Sequence, residues 1–273
     1  MQIIQCSSYN NLSLHNIPEA FWTGFPYTKG KTVFIKPNLV NPITNWDKCS
    51  TTRVEVVELI IQKLFTQETK QIIVGECGFK DQWDATIHST RYYRLVNKYN
   101  VDLIPLQDGA NFHKFTLKRL KEYRSLYGVK FSDYMLKCDV IINVPKMKVH
   151  GMAGMTGAIK NMMGTMTQKG SMHPRANCHI LHQRLADLYL LTSPMVQFIV
   201  MDGIIGAEYS EQCGRPVSSN VLISGTNQWE IDVAASKLMG IDPDEVMYLK
   251  YINADFNSVQ VPRNLIKHYE RPI

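Results

Sequence analysis

The chain has 273 residues, of which 45% are hydrophobic and 20% are charged, and its formal net charge is +6. This size and composition predict one globular domain over 1–273 with a sizeable core. The apolar runs stay well short of the roughly eighteen residues that span a membrane, and the basic residues are dispersed rather than clustered. Composition and charge therefore argue against membrane and nucleic-acid partners.

The start of the chain and the cysteines predict the compartment. The first twenty residues carry neither a basic n-region nor a long apolar core, so no signal peptide is expected. The six cysteines lie far apart and form no CxxC pair, which predicts reduced, mostly buried thiols. We therefore expect a cytoplasmic protein without an iron–sulfur cluster motif.

The first half of the chain alternates apolar runs with helical periodicity. The first run ends at Lys36-Pro37-Asn38, because proline cannot continue the pairing of a central strand. A helix is expected from Thr51 or Thr52, with Glu55 completing a capping box. The other elements predicted here are strands over 32–40, 71–77 and 101–106 and a helix over 85–99.

The second half continues this alternation. Strands are predicted over 139–144, 197–205 and 221–224 and helices over 178–191 and 231–239, with Gly240 as a natural C-cap. Residues 113–135 are interpreted as an insert at the sheet edge, and 251–273 as a C-terminal tail that packs on the outside. The pattern predicts an α/β fold: a mainly parallel sheet of five to seven strands, with helices on both faces and a ligand crevice at the strand carboxyl ends.

A cluster of lysine, histidine and glycine follows the predicted strand 139–144, within the stretch NVPKMKVHGMAGMTGAIKNMMGTM over 143–166. Gly154 and Gly157 would let the amides at a helix start hold a carboxylate or phosphate, beside Lys146, Lys148 and Lys160. The competing interpretation is that the glycines only permit tight packing and that the lysines are solvated. The methionine-rich composition of this region indicates adaptable packing or, alternatively, a pocket wall that reshapes around a ligand.

The histidines offer two interpretations. His150 is the candidate for proton transfer near neutral pH. His173, His179 and His182 follow it along the chain, and the last two share a helical face, so a transition-metal site is the alternative. No carboxylate accompanies them at ligand spacing, and a lone histidine is more often structural.

Polar residues also end the other predicted strands. Lys36 and Asn38 end the first strand, Glu76 the second and Asp202 the fifth, and Asp232 follows a turn after the sixth. Each can serve merely as a cap or turn residue. Because parallel carboxyl ends open into one crevice, we instead expect Lys36, Asn38, Lys148 and Lys160 to converge there.

These motifs together resemble the family called domain of unknown function 362. The matching segments, in chain order, are Lys36-Pro37-Asn38, 143–150, 156–161, Asp202-Gly203-Ile204 and 225–241. Members of that family are often fused to ferredoxin-like iron–sulfur modules. For a chain without the clustered cysteines of such a module, the resemblance implies a stand-alone version that works with a separate ferredoxin-type partner.

A more distant resemblance covers a shorter part of the chain. Residues 150–160 fit the pattern H-x-x-A-G-x-[ST]-G-x-x-K of nickel-pincer lactate racemases, which implies proton transfer at His150 and a cofactor-bearing or cationic role for Lys160. Thr52-Arg53 is a partial match to their nucleotide-binding element. Gly75-Glu76-Cys77 and Ala176 stand where those enzymes carry histidines, so neither nickel nor racemisation follows.

The sequence therefore predicts an enzyme that acts on a small anionic substrate or a nucleotide-like cofactor, bearing a carboxylate or phosphate. His150 and Lys160 are the catalytic candidates. Two alternatives stay open: a non-catalytic metal or ligand-binding protein using His173, His179 and His182, and an accessory redox protein that works with a separate ferredoxin. The ligand-binding candidates are Lys36, Asn38, Thr52, Arg53, Lys146, Lys148, Gly154, Thr156, Gly157, Asn161 and Asp202.

Overall fold

The computed structural model describes residues 1–39, 49–77, 82–106, 112–114, 126, 130–166, 178–212 and 214–271. Within these ranges the strands are β1 Gln2–Gln5, β2 Thr32–Pro37, β3 Gln71–Glu76, β4 Asp102–Pro105, β5 Phe112–Lys114, β6 Lys130–Ser132, β7 Val140–Val144, β8 Lys146–His150, β9 Gly154–Thr156, β10 Val196–Glu208 and β11 Arg215–Gly225. The α-helices are α1 Val54–Phe65, α2 Trp83–Ser89, α3 Tyr93–Tyr99, α4 Asp133–Leu136, α5 Ala158–Asn161, α6 Cys178–Thr192, α7 Gln228–Leu238 and α8 Met247–Tyr251. Short 3-10 helices cover Tyr9–Asn11, Glu19–Trp22, Met162–Thr165, Pro243–Glu245 and Arg263–Leu265.

The main sheet has the strand order β1-β11-β10-β7-β2-β3-β4. The strands from β10 to β4 are parallel neighbours, whereas β11 runs antiparallel to both β10 and β1. Strand β8 extends this sheet by pairing in parallel with β10, and β9 pairs antiparallel with β8. The predicted α/β fold with a mainly parallel sheet is confirmed, although the sheet of the described residues has nine strands and not the five to seven predicted.

The central strands are apolar because both of their faces are covered. In β2, Phe34 packs in one core with residues of α6 and α7, while Val33 and Ile35 pack in a second core with the apolar face of α1. Side chains alternate across a strand, so successive residues of one apolar run are buried alternately in the two cores. Helices therefore lie on both faces of the sheet, as the alternating pattern predicted.

Two local predictions about helices were wrong. The helix expected over 85–99 is two helices, α2 and α3, separated at Arg91, whose positive φ of 64° cannot continue a right-handed helix. The capping box at the start of α1 does not form, because the Thr52 hydroxyl donates to Val144 O and accepts the amide of Asn38. The amide of Arg53 is held instead by the Asp202 carboxylate.

The stretch after β7 also differs from the expected strand, loop and helix. Residues 146–156 form a β-hairpin in which His150 pairs with Gly154, and α5 begins only at Ala158. Extra pairing partners explain the change: β8 continues the sheet beside β10, with Lys146 opposite Asp202. The lysines therefore lie on a buried strand rather than on a loop.

The predicted insert and the predicted C-terminal tail differ in how much of each the structure describes. Most of 113–135 lies outside the described residues, apart from the antiparallel ribbon of β5 and β6 and the short α4. The C-terminal segment was predicted to pack on the outside, but Val259, Leu265 and Tyr269 are buried in the same core as residues of α6 and α7. Backbone bonds from Lys267 to Leu238 and from Tyr269 to Met239 attach this segment to the fold. None of the helices in the described ranges has the length and apolarity needed to cross a bilayer.

Candidate functional site

Two buried lysine–carboxylate pairs lie near the carboxyl ends of the parallel strands. We call Lys36, Glu76, Asn38, Asn143 and Asn161 the Lys36 cluster, and Lys146, Asp202, Tyr9 and Arg53 the Lys146 cluster. Lys36 lies on the same side of β2 as Phe34, and Asp202 lies on the same side of β10 as Val200. Phe34 and Val200 pack in different cores, so side-chain alternation points Lys36 and Asp202 to opposite faces of the sheet.

The charged part of the Lys36 cluster is a fully enclosed ion pair. Lys36 Nζ donates to Glu76 Oε2 at 2.7 Å and to the carbonyl of Pro37 at 2.7 Å. The same carboxylate accepts the amides of Leu39 and Cys77, at 3.1 and 2.8 Å. These additional donors satisfy the buried oxygens, which is the condition under which a buried ion pair is tolerated.

Gly164 packs directly against this ion pair. A Cβ at that position would overlap the Glu76 carboxylate and the Lys36 ammonium. The carbonyl of Gly164 also accepts the amide of Cys77 at 2.8 Å. The backbone of the segment NMMGT lies so close to the ion pair that only glycine fits at position 164. The 3-10 helix Met162–Thr165 therefore covers the pair.

Three asparagines form a directed chain of hydrogen bonds beside the pair. Asn38 Nδ2 donates to Asn161 Oδ1 at 3.0 Å, Asn161 Nδ2 donates to Asn143 Oδ1 at 2.7 Å, and Asn143 Nδ2 donates to the carbonyl of Ala158 at 2.8 Å. The carbonyl at the end fixes the direction of every amide, since it can only accept. At the other end, Asn38 Oδ1 is buried with no hydrogen-bond partner in the described part of the chain.

In the Lys146 cluster, four donors of the described residues share the carboxylate. Asp202 accepts from Lys146 Nζ at 2.8 Å, from the Tyr9 hydroxyl at 2.8 Å and from the amide of Arg53 at 2.9 Å. The amide of Ile204 is the fourth donor, at 3.4 Å. Lys146 Nζ also donates to the Tyr9 oxygen at 3.0 Å. Burial lowers the pKa of Lys146, an effect that Asp202 opposes, and burial with the nearby Asp202 charge raises the pKa of Tyr9 well above its usual value.

Lys148 and His150 follow on the same face of β8. Lys148 Nζ donates to the carbonyls of Ser50 and Glu211, at 2.7 and 2.8 Å, which ties the β10–β11 turn to the segment before α1. His150 Nδ1 accepts the amides of Met152 and Ala153, each at 3.2 Å. Its Nε2 lies 3.9 Å from Glu211 Oε1.

The amides predicted to hold an external anion at the start of α5 bind a carboxyl group of the chain itself. Asp232 accepts the amides of Ala158 and Ile159 and the Tyr248 hydroxyl, the last at 3.0 Å. A Cβ at Gly157 would overlap this carboxyl group, which explains the glycine. Burial raises the pKa of Asp232 to about 7, although the two amides and the hydroxyl oppose the shift.

The histidine cluster is not assembled as a metal site in the described residues. His182 Nδ1 accepts the amide of Tyr248 at 3.2 Å, and its ring also hydrogen-bonds to the backbone of Met152. His179 lies on the exposed side of α6, and His173 lies outside the described residues. No group of three potential metal-binding side chains occurs within those ranges.

The described residues therefore do not fit the nickel-pincer group that the second resemblance implies. Cys77 stands where the resemblance places a histidine, and the carboxylate of the preceding Glu76 is already bound by Lys36 and two amides. His182 uses both ring nitrogens for structural bonds. A soft transition metal would have to displace these bonds to gain ligands.

The other candidates are distributed around the two clusters. Thr52 links Asn38 to Val144, so it bridges the ends of β2 and β7. Gly154 and Thr156 lie on β9 opposite His150 and Lys148, and Lys160 lies half-buried on α5. Sequence reasoning missed the roles of Tyr9, Asn143, Glu211 and Tyr248; only Asn143, a polar residue ending an apolar run, carried a signal.

The described chain has an α/β fold whose parallel strands end in buried charged and amide side chains. The chain belongs to the family described as Domain of unknown function (DUF362), whose model matches residues 33–237. A curated relative, the thylakoid-associated protein sll1697 of Synechocystis sp., is 21% identical over 217 residues, covering 78% of this chain and 64% of that protein. The chain thus spans less than two thirds of the length of this relative.

The fold also has a solved counterpart. The lactate racemase apoprotein from Thermoanaerobacterium thermosaccharolyticum superposes with a TM-score of 0.51 at 10% identity, covering 85% of this chain and 57% of that one. A second structure, of a Thermotoga maritima protein, has a TM-score of 0.44 at 11% identity and covers 82% of this chain and 57% of its own. At this level of identity the racemase likeness establishes a shared fold.

Proposed function

We propose that this protein is an enzyme that binds a small anionic molecule, bearing a carboxylate or phosphate, at the strand carboxyl ends. Proton transfer would take place at His150, with Lys160 as a cationic group toward the ligand. A nucleotide-like cofactor fits the same description. The fold shared with a lactate racemase apoprotein supports an enzymatic role.

The observation that carries this proposal is the burial of polar side chains at one edge of the sheet. Lys36, Lys146, Lys148, Glu76 and Asp202 are each at most 2% exposed. Burying a charge costs several kcal/mol even when it is paired, and replacing such pairs by apolar residues is often neutral or stabilising. A stable fold does not need them, so their presence favours a functional edge.

The lysines differ in how they are held. Lys36 and Lys146 are matched by Glu76 and Asp202, each at 2.7 or 2.8 Å. Lys148 donates to the carbonyl oxygens of Ser50 and Glu211, and Lys160 lies half-buried on α5. The proposal therefore places the ligand beside Lys160 rather than inside either enclosed pair.

Ligand-dependent thermal stability tests the proposal. Untagged protein would be heated with inorganic phosphate, a mononucleotide and a series of small carboxylates, at low salt and at high salt. A ligand that binds only the folded state at about 100 times its Kd stabilises it by about 2.7 kcal/mol. We expect the shift in Tm to shrink at high salt, because salt screens an ionic contact.

Matched lysine variants separate a site from a general charge effect. Lys160→Met should abolish the ligand-induced shift, whereas Lys29→Met should keep it, since Lys29 forms an exposed ion pair with Glu68. A stoichiometric metal without any anion response would favour the non-catalytic metal-binding alternative. Stabilisation only by an added ferredoxin would favour the accessory redox alternative.

A further inference from the structure

The ring of His150 is held in one orientation by its own hairpin turn. Nδ1 accepts the amides of Met152 and Ala153, each at 3.2 Å. A backbone N–H can only donate, so Nδ1 must present its lone pair to both groups. The ring is also nearly enclosed, with 5% of the side chain exposed.

This geometry selects the tautomer of the imidazole. A neutral histidine carries one proton, and with Nδ1 acting as acceptor that proton must lie on Nε2. A proton on Nδ1 would face two N–H donors and leave both without an acceptor in a buried turn, at a cost typical of unsatisfied buried groups. Nε2–H then points to the side where Glu211 Oε1 lies 3.9 Å away.

Glu211 is held in that position from its backbone. Its carbonyl accepts Lys148 Nζ at 2.8 Å, and the same ammonium binds the carbonyl of Ser50. Lys148 lies two residues before His150 on β8, so one strand fixes both the ring and the residue that faces it. The carboxylate side chain is 32% exposed, which leaves it free to turn aside for a ligand.

We propose that His150 acts as a neutral imidazole that donates a hydrogen bond from Nε2, with Glu211 as the positioning residue that faces this N–H. The ligand class is an oxygen that carries or gains negative charge, such as a carboxylate, phosphate or alkoxide oxygen. A neutral histidine that donates to a developing oxyanion is a known catalytic device. This rests on the proposed function and deepens it: before any proton transfer, His150 presents Nε2–H to the ligand oxygen as a hydrogen-bond donor.

Nitrogen NMR of the full-length protein tests the tautomer directly. In uniformly ¹⁵N-labelled protein at pH 7, we expect His150 to show a protonated Nε2 and an unprotonated Nδ1. The amides of Met152 and Ala153 should show scalar coupling through their hydrogen bonds to Nδ1. Assignment rests on loss of the signals in His150→Gln, and on the through-bond coupling itself if that variant does not fold.

The role of Glu211 is tested by neutralising its carboxylate. Glu211→Gln should move the Nε2–H resonance while leaving the couplings to Nδ1 in place, whereas Glu68→Gln, on the turn after α1, should move neither. An imidazolium or a proton on Nδ1 at pH 7 would overturn the assignment of His150. An Nε2–H resonance that is as unmoved in Glu211→Gln as in Glu68→Gln would overturn the role of Glu211.

Acetate and inorganic phosphate then probe the ligand side. We expect either anion to shift the Nε2–H resonance of His150 and to leave the ring signals of His182 unchanged, because both sides of the His182 ring bind backbone groups. If the predicted tautomer is found but neither anion shifts the resonance, the tautomer assignment stands and anion binding at this site fails. The two proposals therefore fail separately.

Discussion

The Lys36 and Lys146 clusters bury the same pair of charges with different neighbours. Lys36 meets a Glu76 carboxylate whose other donors are two backbone amides, while three asparagines complete the surroundings. Lys146 meets an Asp202 carboxylate that it shares with the Tyr9 hydroxyl and the helix amide of Arg53. The difference lies in what remains beside each lysine once its carboxylate is removed.

Beside Lys36, removal of the Glu76 charge leaves a carbonyl and neutral amides in a sealed space. Beside Lys146, the Tyr9 oxygen remains within hydrogen-bond distance, and burial has already lowered the pKa of this lysine. The second ammonium can therefore lose its proton more readily than an ordinary lysine. Similar ion pairs need not be equally costly to break, and the following experiments measure that difference.

The largest effect is expected for Glu76→Gln, which leaves Lys36 charged and fully buried. Breaking a buried pair by removing one partner costs about 3–5 kcal/mol of unfolding free energy. Urea unfolding measures the loss, and the double variant Lys36→Met/Glu76→Leu should recover much of it. Glu68→Gln, an exposed control, should stay within about 0.5 kcal/mol of the parent; an equal loss in both variants would contradict the account.

A third buried carboxyl group extends the comparison, since the donors to Asp232 are two amides and a hydroxyl rather than an ammonium. Its pKa is raised from 3.8 to about 7. The unfolded aspartate ionises first as pH rises, so this stabilisation is complete below about pH 4 and is lost by about pH 7. At about 1.4 kcal/mol per pKa unit, the loss is at most about 4 kcal/mol.

Urea unfolding across this pH range tests the prediction for Asp232. The parent protein should lose stability between about pH 4 and pH 7, and Asp232→Asn should show a flatter dependence over the same interval. The quantity compared is the change in unfolding free energy with pH within each protein. A general loss of stability in the variant therefore does not affect the comparison. An unchanged slope would show that Asp232 does not titrate in this range.

A smaller effect is expected for Asp202→Asn in the Lys146 cluster. The Tyr9 oxygen still accepts from Lys146, and the asparagine oxygen can still accept the amide of Arg53. We expect a loss of about 1.5–3 kcal/mol, the range for hydrogen bonds to charged groups. Urea unfolding of Asp202→Asn and Glu76→Gln under the same conditions compares the two losses of unfolding free energy. An equal or larger loss for Asp202→Asn would contradict the predicted ranking of the two clusters.

The smallest effect is expected for Tyr9→Phe. The Lys146–Asp202 pair survives at 2.8 Å, so the change removes the hydrogen bonds of an uncharged hydroxyl to the two ions and leaves the ions paired. A net loss of about 1.5 kcal/mol in unfolding free energy is expected, at the low end of the range for hydrogen bonds to charged groups. A loss as large as that of Asp202→Asn would mean that Tyr9, and not the carboxylate, holds this cluster together.

Much of the fold was predictable because burial imposes local periodicity. The apolar runs before Lys36, Glu76 and Asn143 predicted β2, β3 and β7, and the helical spacing predicted α1, α6 and α7. The hairpin of β8 and β9 was not predictable, because β8 also pairs with β10, a partner that is distant in the sequence. The prediction that Lys36, Asn38, Lys148 and Lys160 converge on one crevice remains a prediction.

The sequence by itself determined which polar residues end the strands, because a charged or polar residue directly after an apolar run can be recognised without knowledge of the structure. Only the tertiary structure decided which carboxyl group meets which donor. Asp232 reaches the amide of Ala158 across 74 residues, and Lys146 reaches Tyr9 across 137. The physical reason is that hydrogen bonds and ion pairs act over a few ångströms in space, whereas periodicity records only whether each residue is buried.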